Sequence, residues 1–209
     1  MKNATDITIL LDRSGSMESV ADDVRGGIKT LIEENKQEPG ACLLTLVQFD
    51  SQDHQQVDID AEPIKDVSSD IVFAPRGGTP LLDALWVAME RTGSRLAAMD
   101  EADRPDKVVF VLFTDGYENC SKEVTQEQLR DKVKRQQEDY NWQFLFLGAD
   151  IDAFVVGGSI GFTSANVIQT AKSKTLKTYS SAGRKLRAYR SSSNTSDLAW
   201  TEQDRKDLS

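Results

Sequence analysis

Short apolar runs alternate with helical patterns along the whole chain, and this alternation limits the fold more than any other feature. Residues 7–11 form an apolar run that ends at Asp12. Residues 20–37 place Val20, Val24, Ile28, Leu31 and Ile32 on one helical face, and Glu38-Pro39-Gly40 stops the pattern. A second apolar run spans 43–49. The turn cluster Asp50-Ser51-Gln52-Asp53 follows, and then a more polar strand at 54–59 suited to a sheet edge. Thr79-Pro80 opens a helix to about residue 98, with Thr79 expected as its N-cap and Pro80 at the first helical position. Residues 107–113 are a strongly apolar strand. Thr125-Gln126-Glu127-Gln128 is a capping-box pattern for a charged helix to about residue 138. Residues 142–147 read as a strand, 151–160 as a short helix and 167–168 as a last strand. Leu176, Tyr179, Ala182, Leu186 and Tyr189 mark the face of a final helix.

Strands buried on both faces need not alternate in polarity, and strands separated by helices pair in parallel. The expected fold is therefore α/β: a doubly wound, Rossmann-like, mostly parallel six-stranded sheet with one antiparallel edge strand and helices on both faces. Gly26-Gly27 inside the first helix costs about 1 kcal/mol per glycine relative to alanine, and a close helix–sheet approach is the expected reason.

The chain is acidic overall, with formal net charge −9, but unevenly so. Residues 1–171 carry −14, residues 172–190 carry +7 and residues 191–209 carry −2. The acidic body argues against nucleic-acid binding. Cys42 lies in an apolar run and Cys120 in a loop, which reads as two free thiols and a reducing compartment. The first residues carry no apolar signal segment, and the longest apolar run is far short of the about 20 residues a membrane span needs. No membrane association is expected, and the expected location is cytoplasmic.

In a doubly wound sheet, ligands bind beyond the carboxyl ends of the strands. There the first strand runs into Asp12-Arg13-Ser14-Gly15-Ser16, the 107–113 strand runs into Thr114-Asp115-Gly116, and Gly77-Gly78-Thr79-Pro80 enters a helix between them. These three segments, in this order and spacing, resemble the metal-ion-dependent adhesion site of von Willebrand factor A domains. Leu31-Ile32-Glu33-Glu34-Asn35-Lys36, Leu46-Val47-Gln48-Phe49-Asp50 and Leu147-Gly148-Ala149-Asp150 are similar to stand-alone bacterial and phage members. The resemblance covers roughly residues 5–190. It implies a domain over 1–190, and the polar composition of 191–209 reads as a C-terminal tail.

The resemblance implies that Asp12, Ser14, Ser16, Thr79 and Asp115 hold one Mg²⁺ ion, with Mn²⁺ or Ca²⁺ as alternatives. It implies that Ser14 and Ser16 bind directly, that Thr79 joins in the ligand-bound form, and that Asp12 and Asp115 act mainly through water. Mg²⁺ prefers six oxygen ligands at about 2.1 Å, and hydroxyls are neutral oxygen donors. With few direct carboxylates the ion stays under-neutralised, and by resemblance it takes a Glu or Asp carboxylate from a protein partner. Helix N-termini after Ser16 and Thr79 would favour the same anion.

Asp83 and Glu118 are read as an ordinary acidic first turn and loop, and Asp50 as a weaker neighbour of the site. His54 is the only histidine, and an exposed side chain suits it better than a zinc ligand. Lys172, Lys174, Lys177, Arg184, Lys185, Arg187 and Arg190 are read as the solvated face of the last helix rather than a nucleic-acid grip. Trp200 stays open between a partner anchor and a contact with the body.

Two other classes of function, an enzyme and an adaptor subunit, compete with a non-catalytic binding module. A Mg²⁺-dependent phosphatase of the haloacid-dehalogenase type needs a second Asp as acid/base where Ser14 stands. A serine hydrolase needs a G-x-S-x-G elbow and a dinucleotide enzyme a G-x-G-x-x-G loop; neither follows the first strand. An adaptor subunit of an AAA+ ATPase complex is the remaining alternative, by resemblance alone.

Overall fold

The computed structural model describes residues 4–209. Strands β1 (Thr5–Asp12), β2 (Cys42–Phe49), β3 (Gln56–Pro63), β4 (Lys107–Thr114), β5 (Gln143–Ala149) and β6 (Val167–Thr170) form one sheet in the order β3-β2-β1-β4-β5-β6. All neighbours pair in parallel except β2 and β3. The edge strand β3 starts two residues later than expected and is bulged against β2, where Ala61 adopts a positive φ of 52°.

Helices α1 (Ala21–Lys36) and α5 (Thr175–Ser192) cover one face of the sheet. The other face carries α2 (Leu81–Ala97), α3 (Gln126–Tyr140) and the short α4 (Ala153–Ser159). Every residue of β1 and β4 is buried, as the unbroken apolar runs require of strands covered on both faces. Thr125 and Gln128 form the expected reciprocal cap of α3. Cys42 and Cys120 are free, and burial pushes the Cys42 thiol up to about 11. Among the described residues, no helix is long and apolar enough to cross a membrane.

Three expectations need correction. First, the glycine pair in α1 answers to a helix and not to the sheet. A Cβ on Gly27 would lie 2.7 Å from the Tyr179 side chain of α5, so the two helices meet at this point. Gly26 meets only Leu176 Cδ1, at an ordinary 3.6 Å. Second, Leu176 is 47 % exposed and is not part of the apolar face of α5.

Third, residues 191–209 are not a loose polar tail. They form a 3-10 turn (Thr195–Leu198) and helix α6 (Glu202–Leu208). Leu198, Trp200 and Leu208 are buried in the α1–α5 side of the core. Trp200 Nε1 donates to Asn166 O (3.2 Å), Ala171 N donates to Leu208 O (3.0 Å), and Arg205 Nη1 donates to Val167 O (2.8 Å). Three spaced apolar side chains are too few to show as a periodic pattern, yet they suffice to seal the sheet edge beside β6.

The basic residues of 172–190 are largely engaged within the chain. Lys185 pairs with Asp204 (2.8 Å) and lies over the Trp200 ring, Arg187 pairs with Glu34, and Arg190 is buried and donates to Asn35 O (2.5 Å).

Gly27→Ala is expected to destabilise the protein by about 1–3 kcal/mol through overpacking against Tyr179. Gly26→Ala is expected to stabilise it by about 0.5–1 kcal/mol through helix propensity. Urea titrations of the two variants check the contrast, and equal effects would refute the close contact.

Candidate metal centre

The strand order reverses between β1 and β4, whose neighbours lead off in opposite directions. The loops leaving such a pair diverge and leave a crevice beyond the carboxyl ends. The β1 loop, the α2 entry and the β4 loop all border that crevice.

Backbone hydrogen bonds tie the loops together. Gly15 N donates to Gly77 O (3.0 Å), Arg76 N to Arg13 O (2.8 Å) and Arg13 N to Phe49 O (2.9 Å). Gly77 turns with a φ of 66°, a left-handed conformation that glycine adopts without strain. Asp50 lies beneath this junction, fully buried. Its Oδ2 accepts from Arg13 Nε (2.8 Å) and Arg76 Nε (2.9 Å), and its Oδ1 from Gln52 N (2.7 Å) and Asp53 N (3.0 Å). Burial works to raise the Asp50 carboxyl, but these donors together hold it below the usual carboxylate range.

All five expected site residues meet in the crevice. Asp12, Ser14, Thr79 and Asp115 are buried, while Ser16 opens to the surface. Asp12 Oδ1 accepts from Ser14 N (2.8 Å) and Oδ2 accepts from the Thr114 hydroxyl (2.6 Å). The Ser14 and Ser16 hydroxyls are 3.1 Å apart, and Ser16 Oγ donates to Asp115 Oδ1 (2.5 Å). Gly116 lies where these oxygens converge. A Cβ there would be 2.9 Å from Thr79 Oγ1, 3.7 Å from Asp12 Oδ2 and 3.8 Å from Ser16 Oγ. The space above Gly116 is thus an oxygen-lined cradle. Asp115 Oδ2 is buried and accepts no hydrogen bond; Lys172 Nζ stands 2.7 Å away in ion-pair contact.

Burial pushes the Asp12 carboxyl up to about 6, against hydrogen bonds from Thr114 and Ser14, and neighbouring Asp115 adds to the rise. The same field reaches Tyr179, whose buried hydroxyl has no partner. Burial first, then Asp12 and Asp115, raise it well above the usual phenol value. The cradle is therefore electronegative and rich in hydroxyl oxygens, with the Lys172 ammonium as its cationic neighbour. That composition fits a small hard cation.

Thr79 does not cap α2. Leu82 N is taken by Glu118 Oε2 (3.0 Å) and Ser121 Oγ (3.1 Å), so the helix end is satisfied by the β4 loop. The Thr79 hydroxyl is left for the cradle, while its backbone is held by Asn119 through Thr79 N to Oδ1 (2.9 Å). Asp83 likewise holds the loop and not the cradle, accepting from Lys122 N (2.7 Å), Glu123 N (3.1 Å) and Val124 N (3.0 Å). His54 is half-buried, and among the described residues no group of three or more His, Cys, Asp or Glu side chains could hold a metal.

Sequence reasoning missed four contributors: Thr114, Arg13, Arg76 and Lys172. Thr114 was visible as the neighbour of Asp115. The two arginines and the lysine carry no local signal, because their partners come from distant loops.

A doubly wound α/β domain with a hydroxyl-and-carboxylate cradle at its switch point is the class of protein that fold and site define. The chain belongs to the von Willebrand factor type A domain family, whose model matches residues 6–200. Similar solved structures include proximal thread matrix protein 1 from the mussel byssus, with a zinc-occupied MIDAS motif (19 % identity, 85 % of this chain and 47 % of that one, TM-score 0.61). The pilus adhesin SpaC of Lactobacillus rhamnosus GG is another (15 %, 88 % and 30 %, TM-score 0.63). The vWF domain of the type V pili tip protein Mfa5 from Porphyromonas gingivalis is a third (10 %, 88 % and 95 %, TM-score 0.60). At these identities the likeness is one of fold. The chain spans about half or less of the mussel and SpaC proteins. No curated protein matches it.

Asp50→Ala is expected to cost about 3–5 kcal/mol, because it leaves the buried Arg13 without its carboxylate. Thermal and urea unfolding check this; a loss within experimental error would show that Asp50 does not hold the junction.

Proposed function

We propose that Asp12, Ser14, Ser16, Thr79 and Asp115 hold one divalent cation, Mg²⁺ in the first instance, and that the occupied site binds a Glu or Asp carboxylate of a protein partner without catalysing a reaction. The observation that carries this reading is the convergence above Gly116 of Thr79 Oγ1, Asp12 Oδ2 and Ser16 Oγ, beside a buried Asp115 oxygen already in ion-pair contact with a cation, the Lys172 ammonium at 2.7 Å. A cation bound there supplies an electrophilic position to which a carboxylate can attach.

The chain's own residues prepare that position. Thr114 and the Ser14 amide fix the Asp12 carboxylate, so its orientation costs nothing when a ligand arrives. Glu118 and Ser121 release the Thr79 hydroxyl from capping duty. The three hydroxyls contribute oxygen without adding negative charge, so Asp12 and Asp115 at most balance the ion, and five donors leave one of its about six oxygen positions for an incoming carboxylate. Ser16 faces solvent, so the open side of the cradle is the side a partner reaches. A binding role is favoured over hydrolysis by the same inventory: the carboxylates in the cradle are fixed by hydrogen bonds from the chain, and Ser14 has no histidine base beside it.

The proposed setting is a reducing compartment, the cytoplasm, supported by the two free thiols. The likeness of residues 31–36, 46–50 and 147–150 to stand-alone members supports a bacterial or phage origin.

Asp12→Ala is expected to abolish Mg²⁺ and Mn²⁺ binding by calorimetric titration while circular dichroism stays native. Unchanged metal affinity would defeat the assignment. Capture of a partner by the immobilised protein is expected to disappear in EDTA and return with Mg²⁺; capture indifferent to chelator would remove the metal-dependent reading.

A further inference from the structure

We propose that Lys172 is a built-in counter-cation of the site: its ammonium group neutralises Asp115 when no divalent ion is bound and has to leave Asp115 for one to bind, so that Lys172 sets the cation affinity. This rests on reading the cradle as a cation site.

Lys172 does not reach the cradle by chance. Its backbone sits between β6 and α5, where three contacts fix it. Lys172 N donates to Asp150 Oδ1 (3.1 Å), Thr175 Oγ1 donates to Lys172 O (2.7 Å), and the preceding Ala171 N donates to Leu208 O of α6 (3.0 Å). From that anchor the side chain crosses to the β1 and β4 loops. Nζ lies 2.7 Å from Asp115 Oδ2 and donates to Ser16 O (3.3 Å). The cations of α5 that form ion pairs, Lys177, Lys185 and Arg187, pair with acids outside the cradle.

The electrostatics give the contact its purpose. The Asp12 and Asp115 carboxylates are both buried in one crevice, where like charges repel. An ammonium group on Asp115 relieves that repulsion in the metal-free protein. It also commits the carboxylate fully, since Oδ1 already accepts from Ser16 Oγ. A divalent ion taking Asp115 as a neighbour would stand close to a second positive charge unless the ammonium withdrew. Withdrawal is mechanically cheap: the Lys172 side chain is 28 % exposed on a flexible stem and can hydrate its ammonium outside the crevice. The cradle thus exchanges a tethered monovalent charge for a free divalent one, and the exchange weakens apparent metal affinity relative to a site without the lysine.

The test uses the full chain and Mn²⁺ as probe. Calorimetric titration compares the wild type with Lys172→Met and Lys172→Arg. Lys172→Met is expected to bind Mn²⁺ about tenfold more tightly, the order expected on removing one nearby unit charge, and Lys172→Arg to stay near the wild type. Acetylation by acetic anhydride, read by mass spectrometry on the wild type, provides a second measurement that needs no variant. Saturating Mn²⁺ is expected to raise labelling of Lys172 and leave Lys177 unchanged. Mn²⁺ binding with unaltered or weaker affinity in Lys172→Met, or labelling of Lys172 indifferent to Mn²⁺, overturns the role of Lys172 and leaves the cation site standing. Absence of Mn²⁺ binding in both folded proteins overturns the cation site and this inference together. Should Lys172→Met fail to fold, the labelling result decides.

Discussion

A sheet buried on both faces keeps the polar side chains along its length away from solvent, as with Asp6 against Arg95 and Thr8 against Thr92, so chemistry that an outside ligand can reach sits where strands end. β1 and β4 show the constraint most clearly: eight consecutive residues of each are buried, and the carboxylates stand at the limit of those runs, Asp12 as the last residue of β1 and Asp115 just past β4. Parallel pairing forces each connection to cross a face as a helix or a long loop. The carboxyl ends of the five parallel strands then point to one edge of the sheet. The reversal of strand order between β1 and β4 parts the loops at that edge, and the cradle above Gly116 is the result.

Placing two carboxylates at this edge is electrostatically unfavourable in the absence of a cation. Asp12 is pushed up to about 6 by its burial, and the neighbouring Asp115 makes matters worse. The structure handles the strain in two ways. A deeper layer, Arg13 and Arg76 on Asp50, brings its own positive charge and needs nothing from outside. The upper layer relies on hydroxyls and on a single lysine from the opposite end of the sequence. The contrast separates a closed ion-pair junction, which fixes the loops, from an open one, which leaves room for a ligand.

Division of labour also explains why neighbouring acids behave differently. Glu118 and Asp83, which read in sequence as an ordinary loop acid and first-turn acid, are both saturated by amides of the loop and helix around them. Their work is to free the Thr79 hydroxyl and hold its loop. Asn119 acts in the same sense through the Thr79 amide. An acidic residue whose oxygens are already occupied by several N–H groups has little left to offer a cation, and this distinguishes loop-holding acids from Asp12 and Asp115 more surely than proximity does.

The sequence alone determined the strand and helix order, the parallel sheet with its antiparallel edge, and the meeting of Asp12, Ser14, Ser16, Thr79 and Asp115 at one edge. The element order follows from hydrophobic periodicity, whose physics acts within a few residues, and the choice of those five residues from the resemblance that three short motifs carry. The tertiary structure alone decided what caps α2, why Gly27 has no side chain, how Leu198, Trp200 and Leu208 bind the last residues to the core, and which cation faces Asp115. Each of these depends on groups far apart in the chain. Nothing local distinguishes Lys172 from the other lysines of its basic stretch; only the closing of α5 and α6 over the end of the sheet brings its ammonium to a buried carboxylate.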